Sequence, residues 1–151
     1  MTGTTDQDLG EVTYTRIFDA PRELVFSCLI DPKHLTHFWG PTGMSTPIDR
    51  IVLDPRPGGA FETVMVNDAD GSEYASRGVF TEVTRPERLA WTEPSNGVSA
   101  TTTFTDLGDG RTEVRIHQTN VPAHFRAPEA QAGFKTSLDK FAGYLATLQA
   151  A

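Results

Sequence analysis

The chain has 151 residues, 38% of them apolar, with 13 basic against 20 acidic side chains and a formal net charge of −7. That length suits one domain and the composition is that of a globular protein, while the acidic balance argues against a nucleic-acid partner, whose phosphates require a basic surface. No uninterrupted apolar run is long enough to span a membrane as a helix.

Residues 1–10 are polar and acidic, lack the basic and apolar regions of a signal peptide, and read as a loose tail ahead of one domain over 11–149. Residues 11–18 are rich in β-branched and aromatic types, as a strand requires. Pro21 then opens a short helix, where a missing N–H costs nothing, and Glu23 in its first turn suits the helix dipole. Leu24 with Cys28, and Val25 with Leu29, are four apart and give this helix one apolar side. Cys28 is the only cysteine, which excludes an internal disulfide and suits a reducing, cytoplasmic location. Asp31 is placed to cap a second short helix beginning at Pro32, and Gly40-Pro41 stops it.

Six further strands are predicted at 48–54, 60–66, 73–83, 88–92, 98–105 and 111–119, separated by clusters of Pro, Gly, Asn and Asp. The short regular spacing argues an antiparallel meander. In the last strand Val114 and Ile116 share one face, while Arg111, Glu113, Arg115 and His117 share the other. A long helix is expected from about Pro128, where Phe134, Leu138, Phe141, Leu145 and Leu148 repeat at helical spacing. Gly133 and Gly143 lie inside it at a cost of about 1 kcal/mol each relative to Ala, which close approach to the sheet or a looser helix would accommodate.

The order strand, two short helices, meander, long helix resembles the helix-grip fold of the START-like (SRPBCC) superfamily, also seen in Bet v 1-like proteins. The phrases FDAPRELVF at 18–26, HFWGP at 37–41, DPRPGGAF at 54–61, VTRPERLAWT at 83–92 and GFKTSLDKFAGYL at 133–145 are similar to its AHSA1-like branch, named for the activator of Hsp90 ATPase and mostly bacterial. The likeness covers residues 11–149. It implies an α+β fold in which a curved antiparallel sheet of six to seven strands wraps a long C-terminal helix, with a cavity between them. It also implies a small apolar ligand, and a mobile lid near Trp39. Position 134 is Phe where relatives often carry Trp.

The expected binding residues are Trp39, Phe61, Phe80, Trp91, Phe104, Phe134 and Phe141, with Tyr144 in the same aromatic set and His37 and Arg50 as polar candidates. The set reads as the wall of a ligand cavity, or as ordinary packed core. His34 and His37 are three apart and share a helix face, but a zinc site needs a further ligand and none stands at metal-motif spacing. No metal or other cofactor is therefore expected.

Three readings of function follow. The first is a binding module for a small apolar or aromatic molecule. The second is a cyclase, dehydratase or hydrolase on a polyketide-like or aromatic substrate. That reading requires an ionisable group inside the cavity, with Arg50, Glu62, Glu82 and His37 as the positions to inspect. The third, a chaperone-related interaction protein, rests on the family name. No nucleophile elbow or phosphate loop occurs, and Cys28 has no neighbouring base. Val64 and Val66 stand on the opposite parity to Phe61 and Met65, so a second covered face is expected there, which a homodimer would supply.

Overall fold

The computed structural model describes residues 9–150. Residues 1–8 of the expected tail lie outside the described residues, and the first strand, β1 (Leu9–Phe18), begins two residues ahead of expectation. Two short helices follow, α1 (Arg22–Leu29) and α2 (Pro32–Leu35). Pro21 is the residue before α1, and the Asp31 side chain caps α2 by accepting the Lys33 amide at 3.0 Å.

The remaining strands are β2 (Met44–Ser45), β3 (Val52–Leu53), β4 (Ala60–Asn67), β5 (Glu73–Thr84), β6 (Arg88–Thr92), β7 (Ser99–Gly108) and β8 (Arg111–Pro122), and the chain closes with α3 (Pro128–Ala150). All pairings are antiparallel, in the order β1-β8-β7-β6-β5-β4-β2, with β3 also paired to β4. This is the expected helix-grip fold: a curled antiparallel sheet, two short helices after its first strand, and one long helix. The β7–β8 hairpin turns at Asp109-Gly110, both at positive φ (57° and 74°), the conformation that a two-residue hairpin loop needs.

The expected strand over 48–54 is corrected. Ile48–Arg50 forms one 3₁₀ turn after Pro47, closed by the Arg50 amide donating to the Pro47 carbonyl at 3.0 Å. Only Val52 and Leu53 reach β4, opposite Glu62 and Phe61. Ile48 and Val52 are about half exposed, so the apolar character of the segment does not mark an inward face. Met44–Ser45 supplies another edge pairing that the sequence does not announce.

Side chains alternate about the sheet except where register shifts at Gly10/Val12, Phe80/Glu82 and Asp106/Gly108 interrupt the pairing. Tyr14 and Phe18 of β1, Phe61 and Thr63 of β4, Phe80 of β5, Leu89 of β6, Thr102 and Phe104 of β7, and Thr112 and Val114 of β8 are all buried. The expected outer face of β8 is confirmed. His117 Nε2 lies 3.1 Å from a Glu11 carboxylate oxygen and its Nδ1 lies 2.9 Å from the Thr13 hydroxyl, both on the solvent side of β1. Val64 and Val66 are half-buried on the same outer surface.

Helix α3 presents Leu138, Phe141 and Leu145 to the interior, as its spacing predicts. Phe141 stacks on Phe38 at 4.0 Å between ring centroids and meets Phe18 at 4.9 Å. Neither glycine of α3 reaches the sheet: a Cβ on Gly133 would sit 3.9 Å from Pro41, and one on Gly143 would meet nothing within 4 Å. No helix among the described residues is long and apolar enough to cross a membrane.

Candidate functional site

A cavity of about 470 Å³ lies between the inner face of the sheet and α3. That volume falls in the range of small-molecule sites. Strand β1 contributes Phe18, β6 Trp91, β7 Thr102, and β8 Val114, Ile116 and Gln118. The opposite wall is one face of α3, from Ala130 through Phe134 and Ser137 to Phe141. These helix positions step by three or four, so a single stripe of α3 forms the whole wall. Phe125, 53% exposed, belongs to a 3₁₀ turn just before α3 and also lines the cavity.

The segment after α2 closes one side. Trp39, Gly40 and Pro41 line the cavity along with Met65 of β4. Gly40 has φ 97°, a backbone conformation that demands glycine, and a Cβ there would sit 3.0 Å from the Met65 sulfur, which would have to give way. The Trp39 carbonyl accepts from the buried Thr46 hydroxyl at 2.8 Å. Lys140 Nζ of α3 donates to the carbonyls of Gly40 (3.1 Å) and Met44 (3.3 Å), and the Thr42 amide donates to Thr136 Oγ1 (2.9 Å). The loop is thus fastened to the helix at three points. Desolvation pushes the Lys140 ammonium below its usual pKa, with a smaller opposing effect from Asp68.

The structure divides the sequence-predicted residues. Trp39, Trp91, Phe134 and Phe141 line the cavity. Phe61, Phe80 and Phe104 stand behind it in the packed core, all under 5% exposed. Phe61 stacks on Phe80 at 5.2 Å and meets Trp91 edge-on at 4.7 Å, so it backs the cavity wall. Phe104 packs edge-on to Phe26 of α1 at 5.2 Å.

The two polar candidates stand elsewhere. Arg50 is exposed and paired with Glu73 at 3.2 Å. His37 is exposed and stacks on Tyr144 at 4.8 Å, while His34 Nδ1 lies 2.6 Å from the same Tyr144 hydroxyl. The two histidines share a face, as their spacing requires, and that face meets one tyrosine ring. No cluster of three or more His, Cys, Asp or Glu able to hold a metal occurs among the described residues.

Sequence reasoning missed Phe18, Phe38, Met65, Thr102, Phe125 and Gln118 as lining residues. Gln118 was accessible, because it shares the parity of Val114 and Ile116, and Thr102 shares that of Phe104. None of the lining residues carries an ionisable side chain. Glu62 and Glu82 are half-buried on the other face of the sheet, and Glu82 binds Arg88 at 3.2 Å. A second hollow of about 450 Å³ lies between the end of β1 and the last turns of α3, lined by Ile17, Asp19, Ala142 and Gln149 among others. Gln149 Nε2 donates to the Asp19 carbonyl at 2.7 Å across this seam.

Known structures share this architecture. A crystallised protein from Nitrosomonas europaea is 25% identical, with 94% of this chain and 97% of that one covered at a TM-score of 0.80. One from Chromobacterium violaceum is 26% identical over 88% and 95%, at 0.78. An AHSA1 protein from Silicibacter pomeroyi, 23% identical over 91% and 98% at 0.75, shares the fold. No curated protein matches the chain. The family described as activator of Hsp90 ATPase homolog 1-like protein matches residues 19–146, and the chain belongs to it.

Proposed function

We propose that the protein binds one small apolar or aromatic molecule in the cavity between the sheet and α3, without turning it over. The observation that carries this reading is the lining: about 470 Å³ of space walled mainly by Trp39, Trp91, Phe134, Phe141 and other apolar side chains, with three neutral polar ones and no ionisable group among them. Such walls favour apolar surface, at roughly 25 cal/mol per Å² removed from water. General acid–base chemistry requires a titratable side chain within hydrogen-bond reach of the reacting atom. Arg50, Glu62, Glu82 and His37 would have supplied it, and all four stand outside the lining.

Native mass spectrometry of freshly purified protein tests the proposal. A co-purified small molecule, released on denaturation and raising the melting temperature when added back, is the expected result. Ligand-free protein that gains no thermal stability from any member of an aromatic compound panel would overturn it.

A further inference from the structure

Three neutral polar side chains interrupt the apolar wall: Thr102, Gln118 and Ser137. Thr102 is 1% exposed, yet its hydroxyl has no hydrogen-bond partner among the described residues. The amide of Gln118 and the hydroxyl of Ser137, both half-buried, are also without protein partners among the described residues, so the desolvation argument rests on Thr102. Buried hydroxyls and amides are ordinarily paired, because an unmade bond costs the full desolvation of the group. Of the other deeply buried threonines, Thr46 donates to Trp39 and Thr112 to Ala20, at 2.8 and 2.7 Å, while Thr63 of β4 shares the lack of a side-chain partner among the described residues but stands outside the cavity lining, so Thr102 is the unpaired one that a ligand can reach.

The pairing register places two of these groups together. Thr102 lies opposite Ile116, and Ala100 lies opposite Gln118, so Thr102 and Gln118 are diagonal neighbours on the inner face of β7 and β8. Diagonal neighbours in an antiparallel pair stand roughly 7–8 Å apart, a gap that one ligand oxygen between two long or reaching side chains can bridge. Ser137 comes from the helix wall that faces them. Each of the three groups can both donate and accept. None brings charge, and the chain as a whole carries −7.

Resting on the reading of this cavity as a ligand site, we infer that its ligand is an uncharged aromatic or alicyclic molecule bearing a hydroxyl or carbonyl oxygen, held at Thr102 and Gln118. The same lining discriminates against carboxylates and other anions. A hydroxyl or carbonyl oxygen satisfies the two orphan groups and leaves its carbon skeleton against Trp39, Trp91 and Phe134. A carboxylate would be stripped of water with no cation to meet it, which costs far more than a neutral group does.

Naphthalene, 2-naphthol and 2-naphthoate, matched in ring system, separate the possibilities by calorimetric titration at neutral pH. The expected order is 2-naphthol tightest, with 2-naphthoate at least about tenfold weaker. Thr102→Val should weaken 2-naphthol roughly two- to tenfold and leave naphthalene unchanged, whereas Thr102→Ser, which keeps the hydroxyl, should retain the preference. Naphthalene is the control for folding, since a variant with a damaged cavity loses both probes. The inference fails if 2-naphthoate binds as well as 2-naphthol. It also fails if Thr102→Val and Gln118→Leu leave the preference for 2-naphthol over naphthalene intact. In both cases the cavity would remain a binding site of another specificity. Absence of binding by all three probes would overturn the cavity reading itself, and this inference with it.

Discussion

Tyr14 and Phe134 lie face to face, with ring centroids 4.1 Å apart and planes 18° from parallel, so the first strand and the last helix meet through two stacked rings. Beside them Arg16 Nη1 donates to the Asp139 carboxylate at 2.7 Å, but that pair is 33% and 66% exposed and such surface bridges contribute about 0–1 kcal/mol. The ring contact therefore contributes more than the ion pair to holding α3 against β1. Phe134→Ala should destabilise by about 2–4 kcal/mol in urea unfolding, since it removes both ring contact and buried area. Burial raises the Tyr14 pKa, and its hydroxyl has no hydrogen-bond partner among the described residues. Tyr14→Phe should therefore fall within about 0.5 kcal/mol of the parent. A large loss in Tyr14→Phe would place an important bond on that oxygen instead.

The fastening of the 40–44 loop gives a second prediction. Lys140→Met removes the donations to Gly40 and Met44 while keeping the apolar stem. Amide hydrogen exchange should accelerate at Thr42 and Met44, whose N–H groups bond to Thr136 Oγ1 and the Pro41 carbonyl, with exchange in β7 and β8 unchanged. Exchange at Thr42 and Met44 equal to that of the parent would show that the loop holds its place without the lysine.

Much of this arrangement is written in local chemistry. The step of Phe134, Leu138, Phe141 and Leu145 defines the buried stripe of α3 because helical period and burial are the same fact seen twice. Asp31-Pro32 starts α2 for reasons confined to one turn. What the sequence leaves open is which inward rings face a cavity and which face each other. Phe61 and Trp91 both point inward from paired strands, yet Trp91 lines the cavity while Phe61 packs behind it against Phe80. Curvature of the sheet and the stand-off of α3 decide this, and both arise from contacts between residues far apart in the chain. The segment 48–54 misleads for the opposite reason: its apolar residues lie at a sheet edge, where a single proline and an edge pairing of two residues override strand propensity.

Cys28 makes stability depend on alkaline pH. Its thiol is fully buried in α1, and burial, assisted by the nearby Asp31 charge, pushes its pKa from 9.0 to about 12. The unfolded chain releases this proton near pH 9 while the native state keeps it. The associated stabilisation is fully present below pH 9 and is lost as pH rises from 9 toward about 12. Tyr14 and Tyr144, also shifted upward, act in the same direction, so the measurement is a difference between proteins. Cys28→Ala should unfold more easily at neutral pH, yet lose less stability per pH unit above 9, by at most about 1.4 kcal/mol per unit. Parallel curves of unfolding free energy against pH would show that the thiol ionises alike in both states.

The two glycines of α3 separate helix stability from cavity function. Each carries the same backbone entropy penalty, so Ala at either should gain up to about 1 kcal/mol if the site accepts a methyl group. Gly143 is exposed and open, and Gly143→Ala should raise the melting temperature by roughly 2–4 °C without touching ligand binding. Gly133 lines the cavity, where the new methyl would sit 3.9 Å from Pro41, an ordinary contact. Gly133→Ala should therefore gain comparable stability while filling part of the space beside the 40–44 loop, and affinity for 2-naphthol should fall as the melting temperature of the free protein rises. Equal affinity in the two alanine variants would move the ligand away from the Pro41 side, toward Thr102 and the strand wall.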